Sequence, residues 1–199
     1  MADFNRLIYP SSITWPKFPP GLESWSHTGK GQFRSAVQVG RTWEEVYSLM
    51  HTRDPLVHEF LEYINNLLWN RTIFEIVHLD KQKPVNDPIT GSMVINGAGQ
   101  TGSTLTVTST LNKVLKYGDF IKIAGLNLVY TIAETMPAPN ATSIKIFPPI
   151  LAGNSPGNGA SITFSGVKFR AVITEDIEPP SREGGKLYAG LVLKFRECP

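Results

Sequence analysis

From residue 80 to residue 165 the chain shows no helical apolar period at all. Only ten of these 86 residues are charged, and 26 are Ser, Thr or Gly. A surface helix needs an apolar stripe recurring every three to four residues. A chain without that stripe buries its apolar groups through the two-residue alternation of strands instead. Six short runs fit: 92–95, 104–109, 119–124, 129–133, 143–147 and 160–164. Each is bounded by Gly, Pro or Asn turns, the punctuation of strands. Short strands at regular spacing predict a small all-β barrel or sandwich over 80–165.

The flanking sequence is different. Residues 54–68 carry one clear helical stripe: Val57, Phe60, Leu61, Ile64, Leu67 and Leu68, with Glu59, Glu62, Asn65 and Asn66 on the other side. Asp54 is a suitable N-cap, and Pro55 suits the first helical position, where its missing N–H costs nothing. The β-branched and aromatic run 72–79 reads as a strand. Residues 33–49 read as a β-hairpin: Val37 and Val39 alternate with polar neighbours before Gly40, and Trp43, Glu45, Tyr47 and Leu49 alternate after it. Neither face of that hairpin is uniformly apolar, which suits a projection or a wall between subunits. The runs 166–177 and 185–196 alternate as two further strands.

Residues 1–32 hold prolines at 10, 16, 19 and 20, which forbid a continuous helix. Trp15, Phe18, Leu22 and Trp25 are too apolar for a disordered tail. An ordered leader of extended pieces is expected, docked on its own body or on a neighbour.

The chain therefore reads as mainly β with one amphipathic helix, an α+β protein. Its core is a β-sandwich or split barrel formed by 1–79 and 166–199, and 80–165 form an inserted small all-β barrel.

Composition narrows the function. One cysteine in 199 residues excludes an internal disulfide framework and a Cys-rich metal cluster. A net charge of +2 without a basic block argues against a specific nucleic-acid partner. No apolar run approaches the roughly 18 residues of a membrane span. Asp3 and Arg6 interrupt the apolar start, so no secretory leader is expected.

Motifs for chemistry are weak. GAGQTG at 97–102 matches a dinucleotide fingerprint in letters, but the Thr-rich run after it is no helix, so a glycine-rich turn is expected. His27, His51, His58 and His78 lack metal-ligand spacing, and the His58-Glu59 pair meets Glu62 where a zinc-protease helix needs its second histidine. Glu44 and Glu45 are adjacent on a strand and point to opposite faces. Nothing in the sequence around Cys198 marks an activated thiol. No catalytic, cofactor or metal site is expected.

The organisation resembles a family. An N-terminal hairpin, then LVHEFLEYINNLLWNRTIFEI, then two late strands ending in LYAGLVLKFREC is similar to the distal tail and tail-tip ring proteins of long-tailed bacteriophages, including the M-type minor tail protein of lambda-like phages. The resemblance covers 33–79 and 166–199, and the run GDFIKIAG–VYTIAE–IKIFPPI–ITF is similar to β-barrel insertions of tail and baseplate components. It implies a non-enzymatic virion protein, assembled in the host cytoplasm into a ring of six or three copies at the distal end of the tail tube. Tube protein, tail hub and tape-measure protein would be its neighbours. The leader and hairpin would form the subunit interface, through Trp15, Phe18, Arg34, Gln38, Arg41, Glu44 and Glu45. Two other readings remain open: a glycan- or receptor-binding β module with Tyr117 and Tyr130 as platform beside Phe147, and a hydrolase using Asp119 and Glu134.

Overall fold

The computed structural model describes residues 3, 4, 7, 10–14, 16, 22–25, 31–34, 40–48, 55–79, 82–174, 182–183, 186–187 and 190–198; at 22–25, 31–34, 48, 182–183, 186–187 and 190 the backbone alone is described. The chain is mainly β with one helix and divides into two compact units, Met1–Ile76 with Arg170–Pro199, and Val77–Phe169.

In the first unit the strands are Ser12–Ile13 (β1), Leu22–Trp25 (β2), Gly31–Arg34 (β3) and Thr42–Ser48 (β4); the helix Pro55–Trp69 (α1) and the strand Phe74–Val77 (β5) follow. The second unit holds Met93–Ile95 (β6), Gly102–Ser109 (β7), Phe120–Ile123 (β8), Val129–Ile132 (β9), Ser143–Ile150 (β10) and Ile162–Thr163 (β11). Lys168–Ile173 (β12) crosses back into the first unit, which ends with Arg182–Glu183 (β13), Lys186–Leu187 (β14) and Gly190–Glu197 (β15).

The first unit is a half-barrel, a five-stranded sheet in the order β1-β4-β15-β12-β5. Its alternation is strict. Trp43, Glu45 and Tyr47 of β4 are buried, as are Leu191, Leu193, Phe195 and Glu197 of β15, while the residues between them face out. On the buried side, Trp43 stacks on Phe195 at 5.4 Å and Phe74 meets Phe195 edge-on at 6.1 Å. Helix α1 lays Val57, Phe60, Ile64 and Leu67 on that face, and the Phe60 ring lies 5.0 Å from Tyr47. The helix stops where its stripe stops. Arg71 takes the left-handed backbone (φ 47°), and Thr72 N–H and Arg71 N–H donate to the carbonyls of Leu67 and Leu68. This is a Schellman ending, with arginine where glycine is commoner.

The leader is extended where it is described. Phe4 packs between Tyr63, Phe74 and Phe195 at 5.0–5.7 Å, and its N–H donates to Glu75. Asp3 bridges Glu75 beside β5, and β1 pairs with β4 at the opposite edge. The leader therefore docks on its own unit at both edges of the sheet.

The expected hairpin over 33–49 is corrected. β3 pairs with β2, with Arg34 opposite Leu22. β4 lies between β1 and β15 and projects nowhere. Residues 35–39 lie outside the described residues. The alternation of β4 misled because its buried face includes a carboxylate, Glu45.

The second unit is a nearly closed barrel in the order β11-β8-β9-β10-β7-β6. Closure comes from β6 meeting the β11 end: Val94 bridges Ser161, Ile95 N–H donates to Ala160 at 2.9 Å, and Gly159 N–H donates to Ile95 at 2.8 Å. All six expected strands are present, with shifted ends. The barrel is filled by one apolar cluster, including Leu105, Val107, Ile121, Ile123, Ile132, Ile144 and Ile146. β7 shows the cause plainly: Leu105 and Val107 point in while Thr104, Thr106 and Thr108 point out.

GAGQTG joins β6 to β7, an antiparallel pair, as a turn. The Gln100 amide nitrogen donates to the carbonyls of Asn96, Gly97 and Thr106 at 2.8–3.0 Å, and Thr106 N–H donates back to its oxygen at 2.6 Å. The glutamine thus fastens the turn. No helix N-terminus stands there to receive a phosphate.

Candidate functional site

The chain's buried ionisable side chains are the natural place to look for chemistry. In the first unit, Gly40-Arg41 leads into β4 and meets the end of β15. The Arg41 guanidinium lies 3.4 Å from the Glu197 carboxylate, both side chains almost fully buried. Glu197 Oε2 also accepts from Arg41 N–H, and Glu197 N–H donates to the Arg41 carbonyl at 2.8 Å. Gly40 makes this approach practicable: its φ is +76°, and a Cβ there would sit 2.0 Å from the Glu197 carbonyl oxygen. Further along β4, the Tyr47 hydroxyl donates to Glu45 Oε2 at 2.5 Å, with Glu45 0% exposed. These groups are held by one another within the sheet, and no lining residue of a described cavity is among them.

Two candidate interface residues are thereby corrected. Arg41 and Glu45 are interior, because β4 is a core strand and its odd-numbered positions face the helix. Glu44 points the other way. It lies on the outer face, opposite Lys194 in the ladder and 4.0 Å from its ammonium. Thr14, Thr42, Glu44, Thr174 and Lys194 border a cavity of about 330 Å³ on that face. Arg34 is placed only by its backbone in β3, and Trp15, Phe18 and Gln38 lie outside the described residues.

In the second unit, Asp119 is buried, and its two oxygens accept from Val85 N–H at 2.9 Å and Lys116 N–H at 2.7 Å. That ties the turn before β8 to the segment entering the barrel, so both carboxylate oxygens are committed to backbone donors. Glu134 is exposed and pairs with Lys145 at 2.5 Å. The two acids show no nucleophile–base arrangement.

The glycan platform divides. Tyr130 is 3% exposed inside the barrel cluster and presents no ring face, which corrects its expected role: β9 turns it inward in register with Ile132. Tyr117 is 73% exposed. Its N–H donates to the Thr135 hydroxyl at 3.0 Å, and Thr135 lines a cavity of about 150 Å³ with Thr104, Glu134, Ser143 and Lys145.

His58 is exposed on α1 and His78 is buried, while His27 and His51 lie outside the described residues. Among the described residues no group of three or more His, Cys, Asp or Glu side chains is placed to hold a metal ion. Cys198 is half-buried, and burial pushes its thiol above its ordinary pKa despite the lowering influence of Arg196 and Arg170. No described helix is long and apolar enough to cross a membrane.

Sequence reasoning missed Glu197 altogether. The signal was present, since its position continues the inward alternation Leu191, Leu193, Phe195, but an acid near the chain end reads as exposed.

No protein-family model matches the chain, and no curated protein matches it in sequence.

Proposed function

We propose that this chain is a structural virion protein that forms a ring at the distal end of a bacteriophage tail tube, continuing the tube and attaching neighbouring tail proteins. The observation that supports it most is the commitment of the buried charged groups: Arg41 with Glu197, Glu45 with Tyr47, and Asp119 with backbone N–H groups serve the fold. Such a chain works through its surfaces. The layout fits the resemblance, since a barrel unit is inserted between β5 and β12, neighbouring strands of a half-barrel that carries the helix. In this reading the half-barrel units join into a ring of six or three copies, and the barrel units are free to meet other tail parts.

The test is light scattering coupled to size exclusion, with negative-stain imaging, on the full chain over a wide concentration range. Rings of three or six copies are expected. A chain that stays monomeric at the highest concentration overturns the proposal.

A second reading is favoured by Tyr117. Tyr117 is exposed, and its N–H donates to Thr135, which lines a cavity with Thr104, Ser143 and the ion-paired Glu134 and Lys145. That is the chemistry of a small saccharide site on the barrel unit. A glycan array should then show binding that Tyr117→Ala abolishes. Binding that is absent, or unchanged by the substitution, removes this reading.

A further inference from the structure

The seam that closes the barrel brings two Asn-Gly sequences together. Asn96-Gly97 follows β6 and Asn158-Gly159 leads towards β11, and all four residues are exposed. Gly97 N–H donates to Asn158 Oδ1 at 2.8 Å. Gly159 N–H donates to the Ile95 carbonyl at 2.8 Å, and Ile95 N–H donates to the Ala160 carbonyl at 2.9 Å. Each glycine nitrogen that follows an asparagine is thus engaged by the other segment.

Those two nitrogens are the nucleophiles of a spontaneous reaction. Asparagine is among the thermolabile residues. Its side-chain amide is open to attack by the amide nitrogen of the next residue, and glycine there obstructs the ring closure least, having no side chain. The fold requires glycine at both places, with φ of +101° at Gly97 and +76° at Gly159. The reactive pairs are therefore built into the turns, and the hydrogen bonds of the seam restrain them. The two restraints differ. Gly159 is held by a backbone carbonyl, flanked by the Ile95–Ala160 bond and the Val94–Ser161 bridge of the same seam. Gly97 is held by one side chain, from an exposed residue in a loop. The Asn96 side chain makes no hydrogen bond among the described residues; only its backbone does.

We propose that Asn96 is a deamidation site of this chain and that Asn158 is the residue that restrains it. The reaction uses water and a base from the solvent. That base takes the Gly97 amide proton once its bond to Asn158 opens. The nitrogen then attacks Asn96 Cγ: the N–Cγ bond forms, the Cγ–Nδ2 bond breaks, and ammonia leaves after taking up a proton from the solvent. Water opens the resulting succinimide at one carbonyl or the other, giving aspartate or isoaspartate. Residues 96–102 and 151–159 contain no charged residue, so the product places the first charge in these loops. Isoaspartate also lengthens the backbone between two fixed points. Asn96 N–H donates to the Thr106 carbonyl at 3.0 Å, and the Asn96 carbonyl accepts from Gln100 at 2.8 Å. Modification therefore disturbs the fastening of the β6–β7 turn.

The test is timed incubation of the full chain near neutral pH, with mass spectrometry locating the products. In the folded chain, product should appear at 96 before 158, and more slowly than in the same chain unfolded in guanidinium chloride. Asn158→Ala frees the Gly97 N–H and should speed the reaction at 96 by about fivefold, the factor that one net hydrogen bond is worth. Asn158→Asp keeps an acceptor oxygen and should leave the rate as it is. Asn154, whose hydrogen bond goes to the Leu151 carbonyl, lies in the same loop, and Asn154→Ala should also change nothing. An unchanged rate at 96 in Asn158→Ala, or equal acceleration in Asn154→Ala, overturns the restraint. Product at 158 ahead of 96 overturns the choice of site. Circular dichroism confirms the fold of each variant. If Asn158→Ala does not fold, the unsubstituted chain decides by itself, because equal rates at 96 in the folded and unfolded chain overturn the proposal.

Discussion

The half-barrel unit depends on the α1 stripe, and Phe60→Ala measures by how much. Phe60 is fully buried, 5.0 Å from the Tyr47 ring, with Ile64 one turn on beneath the same sheet. Truncating a buried phenylalanine loses the transfer energy of the ring and leaves a cavity, together about 3–5 kcal/mol. A relaxing helix could refill part of that space, but α1 is held at its C-terminal end by the Arg71 and Thr72 hydrogen bonds. The upper half of the range is therefore expected. A unit of roughly 100 residues unfolds with an entropy near 0.2 kcal/mol per kelvin, so its midpoint should fall by about 20–25 °C. The assay is differential scanning calorimetry, because two compact units with separate cores can melt separately. The transition of the half-barrel should drop while that of the barrel, whose cluster contains no α1 residue, stays in place. A loss below about 1 kcal/mol would show that the stripe is not core. Equal shifts of both transitions would refute the assignment of Phe60 to one unit's stability.

Three further perturbations probe other parts of the argument. Glu197→Ala strands the buried Arg41 guanidinium and should cost about 3–5 kcal/mol in chemical denaturation, while Glu44→Ala on the outer face should cost under about 1; equal costs would refute the inward placement of Glu197. Replacing residues 85–164 by a short linker should leave a folded half-barrel, because β5 and β12 are neighbours in one sheet; an unfolded product by circular dichroism would argue against separable units. Cys198 should be alkylated slowly near neutral pH, and its rate should rise with pH to a midpoint above that of a free thiol, because burial disfavours the thiolate; a midpoint at or below the free-thiol value would refute that effect.

Much of the fold was legible in the sequence, and the failures have one physical origin. The barrel strands could be read because inward aliphatic residues alternate with outward polar ones, as Leu105 and Val107 do with threonines in β7 and Ile144 and Ile146 do with Ser143 and Lys145 in β10. The helix could be read because its stripe is unbroken. β4 was read as a strand but not as a core strand, because alternation counts polar residues as outward. Glu45 breaks that rule by finding Tyr47 two residues along the same face, and Arg41 breaks it by finding Glu197 at the far end of the chain. A pairing across 156 residues leaves no local trace. Tyr130 failed the other way: an aromatic in a Thr-rich barrel reads equally well as platform or core, and only the register of β9 decides.

The correction to β4 changes how copies can meet. A projecting hairpin would offer strand edges, and subunits would add their sheets edge to edge. In the half-barrel β4 has β15 on one side and β1 on the other, with Ser11 N–H and Thr14 N–H donating to the Val46 and Glu44 carbonyls. At the far edge, Asp3 and Phe4 engage Glu75 of β5. The chain's own leader thus occupies part of both edges, a common defence against indiscriminate strand addition. Opening either edge to a neighbour would first break these bonds and expose Phe4, which sits among three other rings. Side-chain faces carry no such cost, because Trp69, Glu62, Val192 and Arg196 are already exposed. Association through faces therefore needs less rearrangement than association through edges.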